Sequence, residues 1–118
     1  MTRILLAIAL SLAFGTASAG RTIELVEGAY ELGLGSVNFP SSDGGFVRFQ
    51  PCDVCDPVAL QVTSGTRYVT EAGELALADF LRAIGEIRAA DESRAFVLVF
   101  YDLASKRVTR IAVHAVDA

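Results

Sequence analysis

Alternating apolar and polar residues cover much of this chain, and a period of two predicts β-strands with one face toward a core. The first half of the chain contains strand-like runs at Arg21–Glu27, Tyr30–Leu34, Phe46–Phe49, Val58–Val62 and Thr66–Thr70. Two longer runs, Ala95–Tyr101 and Arg107–Val116, predict a C-terminal β-hairpin. All seven residues of Ala95–Tyr101 are apolar, a pattern typical of a central strand buried on both faces.

One segment has the period of a helix instead. Leu77, Phe80, Leu81 and Ile84 lie at positions i, i+3, i+4 and i+7, which predicts an amphipathic helix near residues 77–88. The order is therefore several strands, one helix and a hairpin. This order predicts a single α+β domain over residues 20–118 that is mainly antiparallel β. We expect either a single small sheet or an OB-like barrel, with the one helix before the C-terminal hairpin.

The first twenty residues have a different pattern. A positive start at Thr2-Arg3 is followed by the apolar run Ile4–Phe14 and by the small residues Ala17-Ser18-Ala19. This arrangement predicts a signal peptide over residues 1–19 that is cleaved after Ala19. The apolar run is shorter than the ~20 residues that span a bilayer. We therefore expect a periplasmic or extracellular protein with no membrane attachment after cleavage.

The charge balance excludes one class of partner. Without Arg3, the predicted mature chain has nine basic and fourteen acidic side chains, a net charge of −5. Nucleic-acid binding needs a basic surface, so we expect no nucleic-acid partner. Lys106, Arg107 and Arg110 form the densest basic group, and we interpret them as charges that keep an edge hairpin soluble. The expected partner is a protein or small molecule that the sequence does not identify.

The segment Cys52-Asp53-Val54-Cys55 is the chemically most distinctive part of the chain. In an oxidising compartment, two cysteines have one obvious pairing. Residues i and i+3 of a β-turn lie within ~7 Å at Cα, a separation that a disulfide tolerates. We therefore favour a structural disulfide between Cys52 and Cys55.

Two alternatives for the cysteines stay open. The C-x-x-C spacing also occurs in redox-active pairs, although strand-like runs flank this one and Asp53 and Asp56 disfavour a thiolate. A metal site would combine Cys52 and Cys55 with His114 and a carboxylate, because structural zinc needs four ligands. His114, the single histidine, lies in an alternating strand pattern, where an ordinary strand-face side chain is the simpler interpretation.

The sequence contains no G-x-S-x-G elbow and no phosphate-binding glycine loop that leads into a helix. We therefore expect a non-enzymatic binding or interaction module without a cofactor. Five residues are candidates for lining a pocket, although ordinary cross-strand surface pairs are the simpler interpretation. These candidates are Arg48, Arg67, Tyr68, Tyr101 and Asp102.

The stretch from Thr66 to Arg110 combines T-R-Y, the helical L-x-x-F-L segment and an F-Y-D hairpin with V-T-R-I. In these features it resembles small uncharacterised periplasmic proteins of Gram-negative bacteria. The resemblance covers less than half of the chain and consists mostly of core pattern. It implies a periplasmic location and no particular activity.

Overall fold

The computed structural model of the chain describes residues 26–116. The predicted signal peptide, and five of the seven residues of the strand expected at Arg21–Glu27, lie outside these residues. The elements in chain order are β1 (Glu27–Gly33), β2 (Val37–Asn38), β3 (Phe46–Phe49), β4 (Val58–Gln61), β5 (Arg67–Thr70), β6 (Gly73–Leu75), α1 (Leu77–Asp91), β7 (Ala95–Asp102) and β8 (Val108–Ala115). Within residues 26–116, no helix has the length and apolar character that crossing a bilayer requires.

The strands form two open sheets. A five-stranded sheet has the order β1-β7-β8-β5-β6, and a three-stranded sheet has the order β2-β3-β4. Neighbouring strands are antiparallel except β5 and β8, which are parallel. A single parallel bridge between Gln61 and Arg107 links the end of β4 to the start of β8. The α+β class with mainly antiparallel strands is confirmed. The strands do not form one sheet, and the OB-like barrel is not confirmed because the described sheets are not closed.

The C-terminal hairpin is confirmed, but it lies inside the larger sheet. β1 pairs with β7 on one side, and β5 pairs with β8 on the other. The interpretation of Lys106, Arg107 and Arg110 as edge charges is therefore wrong. The physical reason is the parallel pairing of β5 with β8, which joins segments about 40 residues apart and has no local sequence signal.

The core lies between one face of the larger sheet and two elements that cover it, α1 and the smaller sheet. Phe80 is fully buried, and its ring centroid lies 5.1 Å from that of Tyr68 and 5.6 Å from that of Phe39. The helix begins at Leu77 as predicted and ends at Asp91, three residues later than predicted. The strand register places Tyr68 on the same sheet face as Ile111 and Val99, so α1 covers this face.

The two faces of β7 differ in burial. Ala95, Val97 and Val99 are buried, whereas Phe96, Leu98 and Phe100 on the opposite face are only half-buried. The prediction that this strand is buried on both faces is therefore wrong, because α1 and the smaller sheet pack on the same face of it. We call the opposite side of the five-stranded sheet the outer face.

Candidate functional site

A groove of about 610 Å³ opens beside the start of β8. Three arginines line it, Arg67, Arg107 and Arg110, together with two carboxylates, Glu27 and Asp102. The volume falls within the range of small-molecule sites, about 300–1,000 Å³. We call this feature the arginine groove.

The fold brings the arginines together through strand pairing. Arg67 lies directly opposite Arg110 in the parallel pair of β5 and β8. Arg107 precedes β8 at the bridge to β4. A bulge in the β7–β8 pairing leaves Thr109 without a cross-strand partner, so that Val108 opposite Tyr101 faces the core while Arg110 faces outward. The bulge thus reverses the faces of the residues that precede Thr109, and this lets Val108 enter the core.

Both carboxylates of the groove accept hydrogen bonds from other groups of the protein. A carboxylate oxygen of Asp102 accepts a hydrogen bond from the Ser105 backbone N–H at 2.8 Å, within the turn between β7 and β8. This hydrogen bond lowers the pKa of Asp102 below its ordinary value, so the group stays ionised. The carboxylate of Glu27 accepts a hydrogen bond from the Thr109 hydroxyl at 2.5 Å.

The arginines of the groove have fewer ion-pair and hydrogen-bond partners than its carboxylates. Arg67 donates to Glu74 at 2.8 Å in an exposed ion pair. Among residues 26–116, neither Arg107 nor Arg110 takes part in an ion pair. The guanidinium carbon of Arg110 lies 4.1 Å from the ring centroid of Phe100, and its buried Nε has no hydrogen-bond acceptor within the same residues. The groove therefore holds two guanidinium groups without a carboxylate partner.

Two residues of the predicted pocket group, Arg67 and Asp102, meet in the arginine groove, and the others lie elsewhere. Arg48 lies on β3 of the smaller sheet, with its guanidinium over the Phe46 ring. Tyr101 is half-buried on the core face of β7 and stacks on another tyrosine. Arg107 and Arg110 are absent from the predicted group, and the T-R-Y and V-T-R-I segments that carry Arg67 and Arg110 are the closest sequence signal.

Tyr68 is buried beneath α1, and its side chain is 4% exposed. Its hydroxyl has no hydrogen-bond partner within residues 26–116. Burial, reinforced by the nearby carboxylate of Asp43, raises the pKa of Tyr68 to about 12. The phenol therefore stays neutral at physiological pH and acts as part of the core.

The structure contains the predicted disulfide between Cys52 and Cys55, with a Cα–Cα distance of 5.0 Å. It lies in the connection between β3 and β4. The Cys55 N–H donates to the Cys52 carbonyl at 3.1 Å, which closes a turn. The Gln50 side-chain amide donates to the carbonyls of Asp53 and Cys55 at 3.1 and 2.8 Å. These bonds arrange the segment as a small self-contained loop.

His114 lies on β8, opposite Phe96 in the strand register. Its ring stacks on that of Phe96 with a centroid separation of 5.3 Å. In the part of the chain that the structure describes, no group of three or more histidine, cysteine, aspartate or glutamate side chains is arranged to hold a metal ion. His114 is thus part of the outer face of the sheet.

No family model, curated protein or solved structure matches this chain. Two of the three arginines of the arginine groove, Arg107 and Arg110, have no carboxylate partner among residues 26–116, whereas both of its carboxylates accept hydrogen bonds from the protein. Guanidinium groups without a carboxylate partner are hydrogen-bond donors of the kind that pair with anionic groups.

Proposed function

We propose that this protein is a small exported, non-enzymatic binding domain that holds an anionic group of its ligand in the arginine groove. One observation carries the proposal: Arg107 and Arg110 line the groove without a carboxylate partner among residues 26–116, while Glu27 and Asp102 are held by protein donors. In this proposal the Cys52–Cys55 disulfide stiffens a loop and takes no part in redox chemistry.

A guanidinium group presents several N–H donors in a planar fork that matches carboxylate, sulfate or phosphate oxygens. Hydrogen bonds to charged groups contribute about 1.5–3 kcal/mol each. Two such contacts give about 3–6 kcal/mol, which alone corresponds to dissociation constants between about 6 mM and about 40 μM. The translational and rotational freedom lost on association weakens this, so we expect millimolar binding of a simple anion. Dissolved salt screens the attraction between solvent-exposed charges, with a Debye length of about 8 Å at physiological ionic strength. Because the groove is open to solvent, we expect its affinity for anions to fall as the salt concentration rises.

Export is part of the same proposal and rests on the order of charge, apolar run and small residues before Gly20. The disulfide supports it, because disulfides persist in oxidising compartments. Fractionation of the producing cell, followed by N-terminal sequencing, tests this part. We expect a periplasmic or secreted chain that begins at Gly20, and an intact cytoplasmic chain would contradict the proposal.

The binding part is tested by calorimetric titration of the folded protein with acetate and with sulfate. We expect Arg107→Gln and Arg110→Gln each to weaken binding about tenfold, because one charge-assisted contact is lost. Arg82→Gln is a matched control, since Arg82 is an exposed helix residue paired with Asp79. Unchanged binding in both groove variants, or no binding of either anion to the unmodified protein at tens of millimolar, would refute the proposal.

A further inference from the structure

The ligand-binding surface extends beyond the arginine groove. We infer that the ligand is a small amphiphilic anion, an alkyl chain with a carboxylate head, whose chain lies along the outer face of β7 while its head is held by Arg107 and Arg110. This inference rests on the proposed function, which supplies the position of the head. The apolar stripe that would receive the chain consists of Phe96, Leu98 and Phe100.

The charged and apolar parts of this surface are contiguous. Arg110 lies directly opposite Phe100 in the strand register, and its guanidinium packs 4.1 Å from the Phe100 ring centroid. An anion on Arg110 is therefore next to the first aromatic ring of the apolar stripe. All three side chains of the stripe are half-buried, so each retains apolar surface that a ligand can cover.

The length of the stripe is set by strand geometry. Phe96 and Phe100 are four residues apart on β7, which corresponds to about 14 Å, roughly the length of ten methylene groups. At the far end, the ring of His114 stacks on Phe96 and continues the aromatic surface. The stripe therefore suits a chain of medium length that begins at the arginine groove.

The apolar part of the outer face, which includes the stripe and its neighbours on β8 and β5, is narrow. Its width favours a single small-molecule ligand over a protein partner. The residues opposite one another across the middle of the sheet are Glu31, Leu98, Ala112, Val69 and Glu74. The apolar part spans three strands, about 10 Å, between the two carboxylates. An apolar patch of about 10 by 14 Å is far smaller than the ~800 Å² that each partner buries in a stable protein interface.

The same carboxylates distinguish a free amphiphile from a membrane. Glu31 and Glu74 lie at the two margins of the stripe, on β1 and β6. They would face the headgroups of an anionic bilayer that was laid across the outer face, and like charges repel. A single alkyl chain along β7 is uncharged beside Leu98, so it can lie next to Glu31 without this repulsion. We therefore assign the surface to an amphiphile in free solution.

The test is a calorimetric series on the folded protein with acetate, butanoate, hexanoate and octanoate, all below their micelle concentrations. Full burial of a methylene corresponds to about fourfold in affinity, and coverage from one side to about twofold. We therefore expect affinity to rise about twofold per added methylene. Leu98→Thr should flatten this rise and leave acetate binding unchanged, whereas Arg110→Gln should weaken every member of the series equally.

Phe46→Thr is the matched control, because Phe46 is an exposed apolar strand residue on the other sheet. The inference is overturned if octanoate binds no more tightly than acetate, or if Leu98→Thr, folded by circular dichroism, keeps the full rise. In both cases arginine-dependent acetate binding would still support the anion site. If neither acetate nor octanoate binds, the proposed function fails as well. Binding to anionic lipid vesicles but not to octanoate would assign the surface to a membrane and overturn the inference.

Discussion

Replacing Thr66 with valine tests how the wall of the arginine groove is held in place. Thr66 is a buried polar residue, 7% exposed, in the connection between β4 and β5. Its hydroxyl donates to the Val108 carbonyl at 2.7 Å and accepts from the Thr63 N–H at 2.9 Å. These hydrogen bonds join the β4–β5 connection to the first residue of β8. Thr63 in the connection and Val108 in β8 both line the groove. Valine keeps the shape of threonine and removes both bonds.

The magnitude follows from the groups left without partners. A buried donor or acceptor that loses its hydrogen bond costs about 1–3 kcal/mol, and here one of each is affected. The added methyl group recovers about 0.8 kcal/mol of burial. We expect Thr66→Val to lower the free energy of unfolding by about 2–3 kcal/mol. For a domain of this size, that corresponds to a decrease in Tm of roughly 10–20 °C.

Urea denaturation followed by circular dichroism measures this change. Thr63→Val is the matched control, because the Thr63 hydroxyl accepts one exposed hydrogen bond from the Gly65 N–H and should cost less than about 1 kcal/mol. Thr66→Ser keeps the hydroxyl and should retain most of the stability. Equal destabilisation by Thr66→Val and Thr63→Val would show that the hydroxyl of Thr66 does not anchor the connection.

Two further predictions concern the loop and the hairpin turn. Replacing Cys52 and Cys55 together with serine should lower the free energy of unfolding by about 2 kcal/mol, since the closed loop is short. Urea denaturation checks this, and a loss above about 4 kcal/mol would show that the disulfide organises more than its own loop. Asp102→Asn should reduce the acid sensitivity of stability. The hydrogen bond from Ser105 lowers the folded-state pKa of Asp102 below 3.8, so its contribution is present above that pH and is lost as pH falls. Melting curves at pH 7 and pH 3 should show a smaller difference for the variant, and equal differences would contradict this.

The local elements were largely predictable from periodicity. The predicted strand Phe46–Phe49 matches β3, and the helix starts at the predicted Leu77. The short strand β6 was missed because three residues, Gly73–Leu75, are too few to show a period. Its first residue has a positive φ of 109°, a conformation that glycine adopts readily and that serves the turn from β5.

The site was not predictable, because it depends on pairing between distant segments. Arg67 and Arg110 lie opposite each other only because β5 and β8 are parallel neighbours, and parallel pairing leaves no hairpin signal. The bulge at Thr109 also reverses the faces of the residues before it, which the alternation along the sequence does not reveal. The half-buried outer face of β7 also escaped prediction, since an all-apolar strand does not reveal which face lacks a cover.

Tyr68 provides a test that separates a core role from a ligand-binding role. Its buried hydroxyl has no partner within residues 26–116, and removal of an unsatisfied hydroxyl is neutral or stabilising, by up to about 1 kcal/mol. We therefore expect Tyr68→Phe to be at least as stable as the unmodified protein at pH 7 and to leave acetate binding unchanged. A loss of acetate binding would place the hydroxyl in the site.

The stability of the same variant at alkaline pH is a second, independent measurement. Burial raises the folded-state pKa of Tyr68 from 10.0 to about 12, so the neutral phenol favours the folded state. That contribution is complete below pH 10 and is lost as pH rises from 10 to 12, because the unfolded chain ionises first. The unmodified protein should therefore lose stability over this interval relative to Tyr68→Phe, as measured by urea denaturation at pH 9 and pH 11.5. Thr63→Val, which removes no ionisable group, is the control and should show the same alkaline loss as the unmodified protein. Equal alkaline losses in all three proteins would mean that the Tyr68 hydroxyl is solvated in the folded state, and the packing of α1 on β5 would then have to be looser than the fully buried Phe80 indicates.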